Sequence, residues 1–330
     1  MIEVPKGLDL KAASALLGQE LLGGQLIVGG KSNLTYRVWS AEGEYIVRRP
    51  PLGHVLSTAH DMAREFRVIS ALASTKVPVP QAIALSDDPS FYLMSFVDGP
   101  IYRRPQELEP LGGDRIQKLM TALVGVLVEL HAIDPASIGL QDFGRPEGYL
   151  ERQLRRWQKQ LDSSRSRELE GIDELHDLLV KQLPVSGNPA IIHGDYRIDN
   201  CIATADDGIA AVLDWEMATL GDPLTDVGLL LMYWRLNIEM GGVEAFGNAT
   251  PLPGAPTGAD LAAMYASKRG IDLASLDWYL AFANYKLAVI AEGIHFRYQA
   301  GQTVGDGFAT LGAMVPLLVT QGHAALRGEF

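Results

Sequence analysis

The chain has 330 residues, with 28 Lys plus Arg against 40 Asp plus Glu, so its formal net charge is −12. That length suits two compact units, and an acidic chain with no basic cluster lacks the phosphate-neutralising face on which nucleic-acid binding depends. At 47% hydrophobic and 21% charged it can bury a substantial core, while its single cysteine, Cys201, excludes an intramolecular disulfide and a cysteine-based zinc site within one chain.

In chain order, Leu8, Leu10, Ala13, Leu16 and Leu17 suit one short amphipathic helix in residues 1–20. The runs QLIVGG, LTYRVWS and EYIVRR between about 25 and 50 then read as an antiparallel meander of three strands, separated by Gly29-Gly30 and the turn around Gly43. A loop, PPLGHVLSTAH, leads into a helix over DMAREFRVISALAST, where Met62, Phe66, Ile69 and Leu72 recur at helical intervals. Proline enforces an extended path through VPVP, and the strands QAIALS and FYLMSFV follow, joined by SDDP. Residues 1–97 are therefore expected to form a five-stranded antiparallel sheet with one helix inserted after its third strand.

Beyond Asp98-Gly99-Pro100 the pattern is mostly helical, with helices expected over 107–133, 149–164, 167–183, 223–239, 258–268, 275–300 and 306–325. Residues 190–215 break it with two short apolar runs, PAIIHGD and GIAAVLDW, which bracket polar residues. The expected division is 1–97 and 98–330. The first residues carry no signal-peptide pattern, and no 18 apolar residues run uninterrupted, so the reading is a cytoplasmic chain that neither is secreted nor spans a membrane.

The chemistry is concentrated in IIHGDYRIDNCIATADDGIAAVLDWE. Asp195 and Asn200 stand at the D-x-x-x-x-N interval of a kinase catalytic loop, and Asp214 closes the second apolar run fourteen residues later. Such a loop offers a carboxylate to an attacking hydroxyl, turns, and brings an amide oxygen to a metal ion shared with the next strand's carboxylate. The plainer alternative is a loop whose Asp and Asn side chains cap turns.

HGDYRIDN together with LDWEMATLGDPLTDVG resembles the aminoglycoside phosphotransferase and choline kinase group of small-molecule kinases. Through GGKSNLTYRV, YIVRRPPLG, STAHDMAREFRVISAL, VPVP and FYLMSFVDG, the chain is most similar to the kinase-like domains found alone in bacteria or fused to certain acyl-CoA dehydrogenases. The resemblance implies an α+β, bilobal protein-kinase-like fold: a small antiparallel-sheet N-lobe over a nucleotide, and a larger, mainly helical C-lobe for catalysis and acceptor binding. ATP or GTP would lie between the lobes. Asp195 would orient the hydroxyl and take its proton, while Asn200 and Asp214 would hold Mg²⁺.

The resemblance also gives roles to the N-terminal residues. Arg48 falls where kinases carry a phosphate-pairing lysine, and a guanidinium binds phosphate with altered geometry. Arg49 points to the opposite strand face, so only one of the two arginines enters the cleft. Glu65 would pair with Arg48; the alternative is that Asp61 and Glu65 form exposed pairs along their helix. Backbone N–H groups of Lys31, Ser32 and Asn33 would approach phosphate, and Ser95, Phe96 and Val97 would form the purine-contacting hinge.

His193 and Asp226 are read as structural, with Asp226 anchoring the catalytic loop and Asp222 capping a helix. His131 is read as packing at a helix end. Arg197, Glu216, Tyr285, Glu292 and Arg297 are the acceptor-side candidates. The expected partner is a small-molecule hydroxyl acceptor, either a metabolite such as a hydroxy-acyl compound or an aminoglycoside, bound by a monomer or homodimer. A catalytically silent nucleotide-binding protein with the same fold is the alternative of another class.

Overall fold

The computed structural model describes residues 4–27, 33–52, 61–88, 90–236, 252–302 and 310–329. It divides into two compact units that are discontinuous in sequence. The first takes residues 1–101, 134–140 and 199–218; the second takes 102–133, 141–198 and 219–330. The sequence reading drew one boundary after residue 97. The structure continues the first unit to Ile101 and adds to it the hairpin that follows Ile198.

The first unit is built on a five-stranded antiparallel sheet of β1 (Leu21–Leu26), β2 (Leu34–Ser40), β3 (Glu44–Arg49), β4 (Ala82–Asp87) and β5 (Ser90–Ser95). Their spatial order is β1-β2-β3-β5-β4. Helix α1 (Leu10–Leu17) precedes the sheet, capped by the Asp9 carboxylate, which accepts from the Ala12 N–H at 2.9 Å. The first strand begins four residues earlier than QLIVGG predicts. Gly23 and Gly24 lie inside it, where a β-carbon would come within 2.5 Å of the Trp39 ring and of the Leu8 side chain. The glycine pair permits a close approach across the sheet, so a dipeptide that resembles a turn belongs to a strand.

Helix α2 (Met62–Leu72) follows β3 and is capped by Asp61, whose carboxylate accepts from the Arg64 N–H at 2.9 Å. Its buried stripe is Met62, Glu65, Val68, Ile69 and Leu72, so a glutamate occupies a position on the apolar face. The unit is completed by the hairpin β7 (Cys201–Ala203) and β8 (Ile209–Val212), followed by a single 3-10 turn over Trp215–Met217.

In the second unit the helices are α3 (Pro105–Leu108), α4 (Gly113–Ala132), α5 (Tyr149–Ser164), α6 (Ile172–Lys181), α7 (Leu224–Trp234), α8 (Gly258–Arg269), α9 (Leu276–Gln299) and α10 (Val315–Leu326). Two three-residue strands, β6 (Ala190–Ile192) and β9 (Thr219–Gly221), pair antiparallel within it. The two apolar runs of the sequence therefore do not pair with each other: β6 meets β9, and β8 meets β7. Helix α9 is the central element, packed against α5, α6, α7 and α10. Among the described residues, no helix is long and apolar enough to cross a membrane.

Candidate active site

In the first unit, Arg48 stands on β3 opposite Thr35 of β2 and Tyr92 of β5. Its Nε donates to Glu65 Oε2 at 3.0 Å, and its Nη2 donates to Asp214 Oδ1 and lies 3.8 Å from Glu216 Oε2. Arg49 alternates to the other face, where it donates to the Gly7 carbonyl at 2.6 Å. The Arg48 side chain is 12% exposed and that of Glu65 is 2% exposed. Burial works against the Arg48 charge, but Glu65, Tyr92, Asp214 and Glu216 outweigh it and hold the guanidinium protonated. Burial likewise pushes the Tyr92 hydroxyl up, and the neighbouring Glu65 adds to that shift.

Asp214 reaches this cluster from the end of β8. The Leu213 N–H donates to the Asn200 carbonyl at 2.8 Å, which brings Asn200 beside Asp214 at one end of the hairpin. Asp214 has φ +65°, a left-handed conformation that costs an ordinary residue about 1–2 kcal/mol and that aspartate tolerates better than most. The buried Trp215 fixes the following turn, with its indole N–H donating to the Val212 carbonyl at 3.0 Å. Asn33, 3% exposed, donates from Nδ2 to Glu216 Oε2 at 2.9 Å. Asn33, Arg48, Glu65, Asp214 and Glu216 thus form one connected polar cluster, whereas Lys31 and Ser32 lie outside the described residues.

Asp214 and Asn200 offer a carboxylate and an amide oxygen, and no group of three or more His, Cys, Asp or Glu suited to a metal occurs among the described residues. Such an all-oxygen pair fits Mg²⁺, which keeps several waters and takes one or two carboxylates together with substrate phosphates. It does not fit a zinc cage of nitrogen and sulfur ligands.

Ser95 ends β5, and its amide donates to the Gln81 carbonyl at 2.9 Å while its hydroxyl accepts from the Gln81 N–H at 2.9 Å. The Phe96 amide donates to the Glu44 carbonyl at 3.4 Å, and the Arg37 guanidinium lies 4.1 Å from the Phe96 ring centroid. Val97 follows beyond the last residue of the strand.

In the second unit, Asp195 sits on a loop whose backbone is fixed from two helices. Asp226 of α7, fully buried, accepts from the His193 N–H at 2.6 Å and from the Gly194 N–H at 2.8 Å. Gly194 takes φ +85°, which only glycine adopts without strain, and this turns both N–H groups onto one carboxylate. His131 of α4 approaches Asp226 Oδ2 at 3.3 Å through Nε2 and the Tyr265 hydroxyl at 2.8 Å through Nδ1. His131 is thus part of the loop's support, a role that its position at a helix end did not reveal. Burial works against the Asp226 carboxylate, but its hydrogen bond to His131, the charges of His131 and His193 and the His193 N–H outweigh it and hold its pKa below the ordinary value. The N-cap of α7 is Pro223, not Asp222; Asp222 precedes it and accepts from the Leu224 N–H at 3.0 Å.

Arg197 Nε lies 3.4 Å from Asp195 Oδ2, and its guanidinium stacks 4.6 Å from the Tyr233 ring centroid. Lys286 of α9 donates to the Gly194 carbonyl at 2.8 Å. The sequence reading missed this lysine, whose signal was a lone cation inside the apolar run WYLAFANYKLAVIA. Other candidates on α9 are used within the unit. Tyr285 donates to Gln158 Oε1 at 2.8 Å, and Glu292 accepts from the Ser166 hydroxyl at 2.8 Å and from Arg167 Nε at 3.1 Å. Arg297 is exposed eleven residues beyond Lys286, roughly 16 Å further along the helix axis.

The arrangement supplies a buried guanidinium held against two carboxylates, an oxygen pair suited to a hard cation, and a partly exposed carboxylate on a rigid loop. Comparison with known proteins places these parts in context. Mouse acyl-CoA dehydrogenase family member 10 is 34% identical over 282 residues, covering 83% of this chain and 26% of the mouse protein. The chain spans well under half the length of the curated relatives it matches. The crystal structure of a putative aminoglycoside phosphotransferase from Ralstonia eutropha is 29% identical, with a TM-score of 0.82 over 97% of this chain and 98% of that one. The streptomycin–ATP complex of APH(2")-IIa shares the fold at 16% identity, with a TM-score of 0.60 over 88% of this chain and 91% of the other. The model of the phosphotransferase enzyme family, APH, matches residues 23–261, a span holding the Arg48 cluster and the Asp195 loop alike, and to that family this chain belongs.

Proposed function

We propose that this chain transfers the γ-phosphoryl group of ATP, or of GTP, to a hydroxyl group on a small-molecule metabolite. The observation that carries the reading is Arg48, fixed by Glu65 and in contact with Asp214, a cation anchored beside the candidate metal-binding carboxylate. In this reading Arg48 pairs with nucleotide phosphates, and Asn200 and Asp214 hold Mg²⁺, which supplies charge neutralisation on those phosphates when bound. The hinge contributes Val97, since the Ser95 and Phe96 amides are committed within the first unit.

Asp195 accepts a hydrogen bond from the acceptor hydroxyl and orients its oxygen toward the γ-phosphorus. The new O–P bond forms as the bond to the β-phosphate oxygen breaks, the nucleoside diphosphate leaves, and the hydroxyl proton passes to the Asp195 carboxylate. Catalysis is then mostly positioning and charge stabilisation. Residues 1–97 would cover the nucleotide, and 98–330 would carry catalysis and acceptor recognition.

Arg197 and Lys286 near Asp195 favour an anionic acceptor such as a hydroxy-acyl compound over a polycationic aminoglycoside. The test is nucleotide consumption with hydroxy-acyl compounds, amino alcohols and aminoglycosides as acceptors. Wild-type turnover should fall by about 10²–10⁴-fold in Asp195→Asn. Full activity in that variant, or tight Mg-nucleotide binding with no turnover on any acceptor, would reject the reading; the second outcome would leave a silent binding protein.

A further inference from the structure

We infer that Lys286 is a positioning residue for Asp195, pinning the Gly194 carbonyl and setting a positive field on the Asp195 carboxylate. The inference rests on the reading of Asp195 as the hydroxyl-orienting base. Lys286 is 9% exposed and lies on α9, ninety-two residues from the carbonyl it bonds. Its ammonium donates to Gly194 O at 2.8 Å, and the Trp157 ring of α5 lies 5.6 Å away on another side.

Three consecutive peptide groups are thereby fixed. The N–H groups of His193 and Gly194 are held by Asp226, and the carbonyl that leads directly into Asp195 is held by Lys286. The backbone that aims the Asp195 side chain is therefore clamped from α7 and α9 together, with His131 of α4 behind Asp226.

A neutral donor would satisfy the same carbonyl, so the charge requires its own reason. Burying an ammonium is costly unless opposite charge stands near it. Burial depresses the Lys286 pKa; Asp195 and Asp226 oppose that shift, while Arg156 of α5 and Arg197 of the loop reinforce it. Asp226 already accepts from two backbone N–H groups and meets His131. Asp195 is the carboxylate whose charge would change during the reaction, and the Lys286 ammonium is the buried cation that interacts with it.

The experiment compares the full-length wild type, Asp195→Asn, Lys286→Gln and Lys286→Arg. The readouts are kcat and KM for Mg-ATP, ATP affinity by calorimetry, the melting temperature and the pH dependence of kcat. Glutamine keeps a donor for Gly194 O and removes the charge. The proposal expects kcat in Lys286→Gln to fall on the order of 10²-fold, a scale that small misplacement of a reacting group can reach, with nucleotide affinity and melting temperature near wild type.

The acid limb of the kcat profile should also move to higher pH, because Lys286→Gln removes a cation that interacts with Asp195 and leaves Arg197 beside it. Lys286→Arg should restore that limb and most of kcat. A purely structural lysine would lower melting temperature, affinity and kcat together and leave the limb in place, which would overturn the proposal. Turnover that depends on Asp195 yet is unaffected in Lys286→Gln would overturn the proposal alone. Full turnover in Asp195→Asn would overturn both the proposal and the reading beneath it. Should Lys286→Gln fail to fold, ¹⁵N NMR titration of the Lys286 ammonium decides: Asp195→Asn must lower its midpoint, and an unmoved midpoint overturns the proposal.

Discussion

Arg48 shows how one side chain couples stability to the proposed chemistry. It pairs with the buried Glu65, opposing the burial that pushes that carboxyl's pKa up, and contacts Asp214, so its removal leaves a buried carboxylate without its cationic partner inside the first unit. Breaking a buried pair on one side costs about 3–5 kcal/mol. Arg48→Met should therefore unfold at markedly lower urea concentration than wild type, and Arg48→Met/Glu65→Leu should recover most of that loss because no charge remains buried. Activity should follow a different pattern, with both variants remaining poor phosphoryl-transfer catalysts. Arg48→Lys offers a point charge in place of a planar fork, so it should preserve the pair with Glu65 while raising KM for Mg-nucleotide. If the double variant regains turnover along with stability, Arg48 serves the fold alone.

At the scale of the elements, Asp226 of α7 supports the candidate loop through two backbone N–H groups and is backed by His131. Asp226→Asn keeps the shape but presents an amide N–H₂ where an acceptor is required, leaving a buried N–H unsatisfied at about 1–3 kcal/mol. Because the folded-state pKa of Asp226 lies below its ordinary value, its contribution is complete above the unfolded pKa near 4 and is lost as pH falls through the folded value. Urea unfolding should show a constant gap between wild type and Asp226→Asn from about pH 7 to 5, closing below about pH 4. A gap that widens with acid would contradict this assignment. The same level of organisation explains which parts were legible in the sequence. Strands β2 to β5 and the long helices announce themselves by local period, and the HGDYRIDN spacing marks the loop. Strand β1 was displaced because Gly23-Gly24 serves close packing against Trp39 and Leu8, a tertiary constraint. Strands β7 and β9, three residues each, are too short to show a period and exist through their partners. His131 and Lys286 were hidden for the same reason, since their partners lie 95 and 92 residues away along the chain.

For the molecule as a whole, the charge of −12 opposes the approach of an anion, whereas the candidate cations, Arg48 of the first unit and Arg197 and Lys286 of the second, act only at short range. Beyond about 10 Å at 0.1 M salt the far field is screened, and at 0.01 M it reaches about 30 Å. At low ionic strength an approaching Mg-nucleotide therefore feels the net negative charge before it feels the local cations. Its association rate should rise with added salt, the reverse of what a basic nucleotide-binding surface gives. The acceptor step then separates the two acceptor classes by sign. An anionic hydroxy-acyl compound should also associate faster as salt is raised from 0.01 to 0.15 M, because screening removes a repulsion. A polycationic aminoglycoside should associate more slowly over the same range, because screening removes an attraction. Stopped-flow association rates for each acceptor against the Mg-nucleotide-loaded protein measure this directly. An association rate for a productive acceptor that falls with salt would point to a cationic substrate and would remove the argument built on Arg197 and Lys286.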